Sequence, residues 1–218
     1  MKNWAMTKSW LSGLAAAVTL ASAGVFAGAL ANPAHANDVA EAFVASRANE
    51  ALSVLNDDLP LAEKKERFRS LVEDVADVPR ITRFVLGRYA RGVSDADMDA
   101  FSDVFRQYAV GVYEARLGDY AGETLEVTGS TDRRPGDVIV HTEIAGGSQD
   151  DALPVNWRVL TDDGGQQKVV DVEVYGVWLA INQREEIVGI IQNNGGRVSA
   201  ATQALRGKLE ELESEISG

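Results

Sequence analysis

Cysteine is absent from the 218-residue chain, which excludes thiol catalysis, thiolate metal sites, disulfide scaffolding and attachment of a lipoprotein anchor. Histidine is almost absent. His35 and His141 are the only two, so zinc sites built from several histidines and HExxH-type proteases are excluded as well. Basic charge is scarce: 21 Lys and Arg stand against 33 Asp and Glu, for a net charge of −12. The first 36 residues hold Lys2 and Lys8 and no acid, so residues 37–218 carry −14 between them. Nucleic acids and anionic bilayers are polyanions that reward clustered cations, and this balance disfavours both as partners. There is no G-x-S-x-G elbow, phosphate-binding Gly-rich loop with Lys, or GxGxxG.

What is present begins with a leader. Lys2 and Lys8 precede an apolar stretch from Leu11 to Leu30, ten of whose 20 positions are Ala or Gly, and Ala34-His35-Ala36 offers the small residues of a cleavage site. Residues 1–36 therefore read as a secretory signal peptide cleaved after Ala36, not as a permanent span. With no twin-Arg pair, export follows the general secretory route. Residues 37–218 form one domain that works outside the cytoplasm, with no cofactor predicted.

From Asp38 to Leu117 apolar residues recur at helical spacing in four runs. The first contains Val39, Phe43, Leu52 and Leu55. Pro60 opens the second, where Phe68, Leu71, Val72 and Val75 fall at i, i+3, i+4 and i+7. Val78-Pro79 starts a third, with Ile81, Phe84 and Val85, closed by Gly92. Ser94 caps a fourth with acids in its first turn and a stripe through Met98, Phe101, Val104, Phe105, Tyr108 and Val112. After Gly122 the period becomes two. Leu125-Val127, Val138-Ile144, Leu153-Val159 and Val170-Val174 alternate apolar with polar, predicting a four-stranded antiparallel meander with one apolar and one wet face. Two more helices follow, Val177 to Gln192 and Arg197 to Ile216. The fold class is α+β, with helices flanking the sheet.

Candidate chemistry is thin. His141 could act as a base paired with Asp171 or Glu143, and an enzyme on a cone-like α+β scaffold could use Asp171, Glu173 or His141 as a base on an apolar small molecule, but parity puts these groups on the wet face of their strands. Asp57-Asp58, Asp150-Asp151 and Asp162-Asp163 lie in turns, where Asp bonds its own backbone. Asp95, Asp97 and Asp99 lack the Gly and distal Glu of a calcium loop. No metal ligand set and no catalytic set emerges. What stands out is apolar surface, which either fills a core or lines a cavity.

Several stretches are similar to the MlaC, or toluene-tolerance, family: Phe84-Val85-Leu86-Gly87-Arg88-Tyr89, Tyr120-Ala121-Gly122-Glu123, Pro154-Val155-Asn156-Trp157-Arg158, and Asp171-Val172-Glu173-Val174-Tyr175-Gly176-Val177 followed by Leu179, Asn182 and Arg184. The resemblance runs in order from about Val78 to Gly196. Trp178, Ala90 and Gln183-Arg184-Glu185 depart from its pattern, as in a divergent branch whose lipid is a hopanoid or another apolar molecule. The resemblance implies a non-enzymatic periplasmic phospholipid carrier with an apolar cavity enclosed by helices and sheet. It also implies an inner-membrane MCE-domain protein of an ABC transporter and an outer-membrane lipoprotein complex as partners, with maintenance of outer-membrane lipid asymmetry as the task. The expected lipid-binding residues are Phe84, Leu86, Tyr89, Phe101, Phe105 and Tyr108 from helices, with Val140, Val155, Trp157, Val172, Val174 and Leu179 from the sheet side.

Overall fold

The computed structural model describes residues 36–114, 122–146 and 152–217. Residues 1–35 of the leader, Tyr120-Ala121, Asp150-Asp151 and the end of the fourth helical run lie outside the described residues. Four helices come first: α1 (Ala36–Asn56), α2 (Leu61–Val75), α3 (Val78–Leu86) and α4 (Asp95–Glu114). Then come the strands β1 (Thr124–Arg134), β2 (Asp137–Ala145), β3 (Leu153–Thr161), β4 (Gln167–Val174) and β5 (Val177–Trp178), and finally α5 (Leu179–Asn193) and α6 (Val198–Ser217).

Local chemistry sets the breaks. Asp77 caps α3, its carboxylate accepting from the Arg80 amide at 3.1 Å, and Pro79 sits in the first turn, where its missing N–H costs nothing. The Ser94 hydroxyl likewise accepts from the Asp97 amide at 3.1 Å and starts α4. The expectation that the third helix runs to Gly92 is corrected. The α-helix stops at Leu86, because Gly87 adopts φ 57°, ψ −128°, and a 3-10 turn then carries Gly87–Ala90. A Cβ at 87 would lie 3.3 Å from Val188 Cγ2, so the residue that ends α3 is also the one that lets α5 approach it.

The strands pair consecutively, all antiparallel, as the meander predicts. A fifth strand is added where a helix start was expected: Val177-Trp178 folds back on Val174-Glu173 across a tight turn at Tyr175-Gly176. Tyr175 has φ 51°, the one non-glycine in the left-handed region among the described residues. Register sets the rows of the apolar face. Ser130, Val140, Trp157 and Val172 lie side by side across four strands, and the next row holds Val127, Thr142, Val155, Val174 and Val177.

Two apolar clusters result. The helical cluster joins Val85, Leu86, Phe101, Phe105, Ile187, Ile191 and Leu205 with smaller residues of α4 and α6. The sheet cluster joins Ala40 and Val44 of α1 to Val138, Val140, Val159 and Val169.

Candidate lipid-binding face

The expected lipid-binding residues divide between these clusters. Leu86, Phe101 and Phe105 are buried in the helical cluster, with Tyr89 and Tyr108 half-buried at its edge. The Phe101 and Phe105 rings stack at 5.8 Å between centroids, and the Lys208 ammonium stands 5.6 Å from the Tyr108 centroid. Val140 is fully buried in the sheet cluster, while Trp157 and Val172 are half-buried against it. Val155 is buried in the adjacent row, and Val174 and Leu179 are half-buried. Phe84 joins neither cluster. It is 37% exposed, with the Arg184 guanidinium 4.9 Å from its ring centroid.

Around the sheet cluster the large side chains are left half-covered. Phe43, Val75, Val127, Trp157 and Val172 all pack against its buried valines without being sealed themselves. Trp157 is held in place, its indole N–H donating to Thr142 Oγ1 at 2.9 Å while that hydroxyl donates to the Val155 carbonyl at 2.8 Å. Val75 ends the amphipathic stripe of α2, and Phe68, Leu71 and Val72 on the same stripe are also only half-buried; α2 contains no buried residue at all. The helix is tied down by charges at its sides. Arg69 donates twice to Glu114 of α4, at 3.0 and 2.9 Å, and Arg106 pairs with Glu73. The stripe is legible at i, i+3, i+4 and i+7, and no member of it is among the expected lipid-binding residues.

The sheet's other face carries the polar groups. His141 donates through Nδ1 to Asn156 Oδ1 at 2.7 Å and lies 2.9 Å from Thr131 Oγ1 through Nε2, and Asn156 donates to Glu173 at 2.9 Å. Four strands thus contribute one residue each to a hydrogen-bonded ladder. Asp137 accepts two bonds from Arg158, at 2.9 and 2.8 Å, and its pKa is held below 3.8 chiefly by that hydrogen bonding. The expected placement of Asp171 on a wet face is corrected. It is buried, its Oδ1 accepts the amides of Val172 and Ala180 at 2.9 and 2.8 Å, and burial pushes its pKa above 3.8. This carboxylate fastens the start of α5 to β4, its Oδ1 holding one amide from each element, which suits a structural anchor. Among the described residues no group of His, Asp and Glu is arranged to hold a metal ion. No described helix is long and apolar enough to cross a membrane.

A family model for the MlaC protein matches residues 45–207, most of the chain. The chain belongs to the MlaC family. Seven solved chains match its fold. One is the phospholipid-binding protein from Ralstonia solanacearum in complex with a phospholipid, with a TM-score of 0.72 and 20% identity over 80% of this chain and 98% of that one. No curated protein matches significantly. The mixed architecture with a single antiparallel sheet is thus an MlaC-type fold, and it differs from the four-stranded expectation only by the short β5.

Proposed function

We propose that this MlaC-family chain is a phospholipid carrier of the periplasm, exported by the general secretory route, cleaved after Ala36 and without enzymatic activity. The observation that carries the reading is the half-covered apolar rim of the sheet cluster, faced by an amphipathic α2 that buries none of its stripe. Trp157, Val172, Phe43 and Phe68 are each only partly buried, and an apolar cargo would complete their cover. Burial is worth about 0.8 kcal/mol per CH₂, so a sixteen-carbon chain costs roughly 12 kcal/mol to expose to water, and such a rim recovers part of that. The phospholipid held by the Ralstonia protein of the same fold supports this cargo over a hopanoid.

Acyl chains lie along Trp157, Val172, Val174 and Leu179 of the sheet side and the α2 stripe. Val140 and Val155 form the floor, and Leu86, Tyr89, Phe101, Phe105 and Tyr108 brace the far wall. The chain serves as the soluble component of an Mla-type ABC transport system. It passes lipid between an outer-membrane lipoprotein complex and an inner-membrane MCE-domain protein and so maintains outer-membrane lipid asymmetry. Native mass spectrometry of protein purified from the periplasm tests the reading: about one phospholipid per chain is expected, and a fully folded, lipid-free protein overturns it.

A further inference from the structure

The acidity of the chain is unevenly spread. Between α3, the 3-10 turn and α5 lies an open depression of about 590 Å³ lined by Arg83, Gly87, Arg88, Ala90, Arg91 and Arg184. All four arginines are exposed. Among the described residues none of them pairs with an acid, although Glu185 and Asp95 stand nearby in sequence, whereas Arg69, Arg106 and Arg158 are each engaged by carboxylates. In a chain with a net charge of −12, four uncompensated guanidinium groups in one concavity need a reason.

Helix termini account for only part of it. Arg83 lies in the last turn of α3, where the dipole favours cations. Arg184 is the sixth residue of α5, beyond its first turn and far from its last, so neither helix end accounts for it. Two of the four are also propped by aromatic rings and so kept from folding back onto the surface. Arg184 lies over Phe84, and Arg88 lies 4.9 Å from the Tyr89 centroid while donating to its hydroxyl at 2.8 Å. Gly87 makes the convergence possible, since a Cβ there would meet Arg184 Nε at 3.4 Å.

A second feature borders the depression. Six large hydrophobic residues are exposed among the described residues, and two of them adjoin Arg184: Phe84 at 37%, under its guanidinium, and Ile181 at 45%. Ile181 lies one turn before Arg184 on the same face of α5. Guanidinium forks match phosphate oxygens bidentately, and apolar side chains beside cations are the pattern of a surface that rests in a lipid interface.

We infer that this face docks reversibly on the phosphate head groups of an anionic phospholipid bilayer, with the four arginines on phosphate and Phe84 and Ile181 entering the interfacial layer. The negative charge elsewhere repels the same bilayer, so the carrier approaches by this face alone and leaves again. The average charge, which disfavours anionic membranes, therefore conceals a local exception. The inference deepens the carrier reading and fails separately from it.

Co-sedimentation with vesicles tests it, using palmitoyl-oleoyl phosphatidylcholine with and without one quarter of the matching phosphatidylglycerol, in low salt. The native chain is expected to bind only the anionic vesicles and to be released by about 0.5 M NaCl. Each arginine contributes about fivefold, so R83Q/R88Q/R91Q/R184Q binds on the order of several hundredfold more weakly. R83Q/R91Q alters two side chains with no hydrogen bond or ion pair among the described residues and so protects against misfolding; it loses binding too, whereas K65Q/R206Q, with the same charge change elsewhere, does not. Equal losses in the two double variants overturn the site in favour of net charge alone. Failure of the native chain to bind either vesicle overturns the bilayer as occupant and leaves an acidic protein surface. Native mass spectrometry of the same samples separates the two readings: arginine-dependent vesicle binding by a chain that carries no lipid sinks only the carrier reading.

Discussion

The two apolar clusters are built on opposite plans. In the helical cluster Phe101, Leu86, Ile187, Ile191 and Leu205 are almost wholly buried, and four elements close around them. In the sheet cluster the buried members are only Ala and Val, while its large residues Phe43 and Trp157 remain half-open. The first is a filled core that stabilises the molecule by excluding water. The second keeps its largest apolar surfaces available, and so needs another source of rigidity. The sheet finds it on the opposite face, in the Thr131-His141-Asn156-Glu173 ladder and the Asp137–Arg158 pair. An incompletely covered apolar surface and a hydrogen-bonded polar surface are here the two sides of one sheet.

The largest expected effect tests the filled plan. Phe101→Ala removes a fully buried ring from the helical cluster and should cost about 3–5 kcal/mol in chemical denaturation. Lipid bound per folded chain should stay near the native value. A specific loss of loading with intact stability would move the cargo into the helical cluster and erase the contrast. Next in size is the sheet's polar brace. Asp137→Ala strands Arg158 without its partner and should cost about 2 kcal/mol, below the range for fully buried pairs because the guanidinium is partly open to solvent. If stability is unchanged, the sheet's rigidity comes from its apolar face after all.

Much of this was legible in the sequence because it rests on periodicity. Alternation in Val138-Val140-Thr142-Ile144 and Leu153-Val155-Trp157-Val159 predicted the strands, their faces and their meander, and the structure keeps all three. The helical stripes were legible too. What periodicity does not encode is completeness of cover. The stripes of α2 and α4 look alike in sequence, yet that of α4 buries Phe101 and Phe105 and that of α2 buries nothing. Phe84 had the right chemistry and spacing for a core position and faces outward beside Arg184. Asp171 was misplaced for a related reason: parity gives the face of a strand, and the start of α5 then covers that face locally.

A smaller effect bears on the open plan. Val140 is fully buried, so a polar residue there damages folding and loading together. Val172 is the cleaner position, half-buried beside Trp157 in the same row. Val172→Gln should cost about 1 kcal/mol of stability while lowering bound lipid several-fold in native mass spectra. Loss of both in proportion would make the sheet cluster a core like the other.

The smallest effect separates the anchor from the brace by pH. Asp137 has a pKa below its unfolded value of 3.8, so its stabilisation is complete above 3.8 and disappears as pH falls through the folded pKa. Asp171 has the opposite sign: burial raises its folded pKa, so the ionised form is disfavoured by folding, and stability rises as pH falls through that pKa and levels off below 3.8. Asp171→Asn leaves an amide oxygen able to accept the Val172 and Ala180 amides but removes the buried charge. The variant should therefore be slightly more stable than the native chain near neutral pH and should lose the rise toward mild acid in urea midpoints measured between about pH 4 and 7. Destabilisation at every pH would instead mean that the charge itself holds the start of α5 against β4, and the sheet would then be braced electrostatically at both its polar positions.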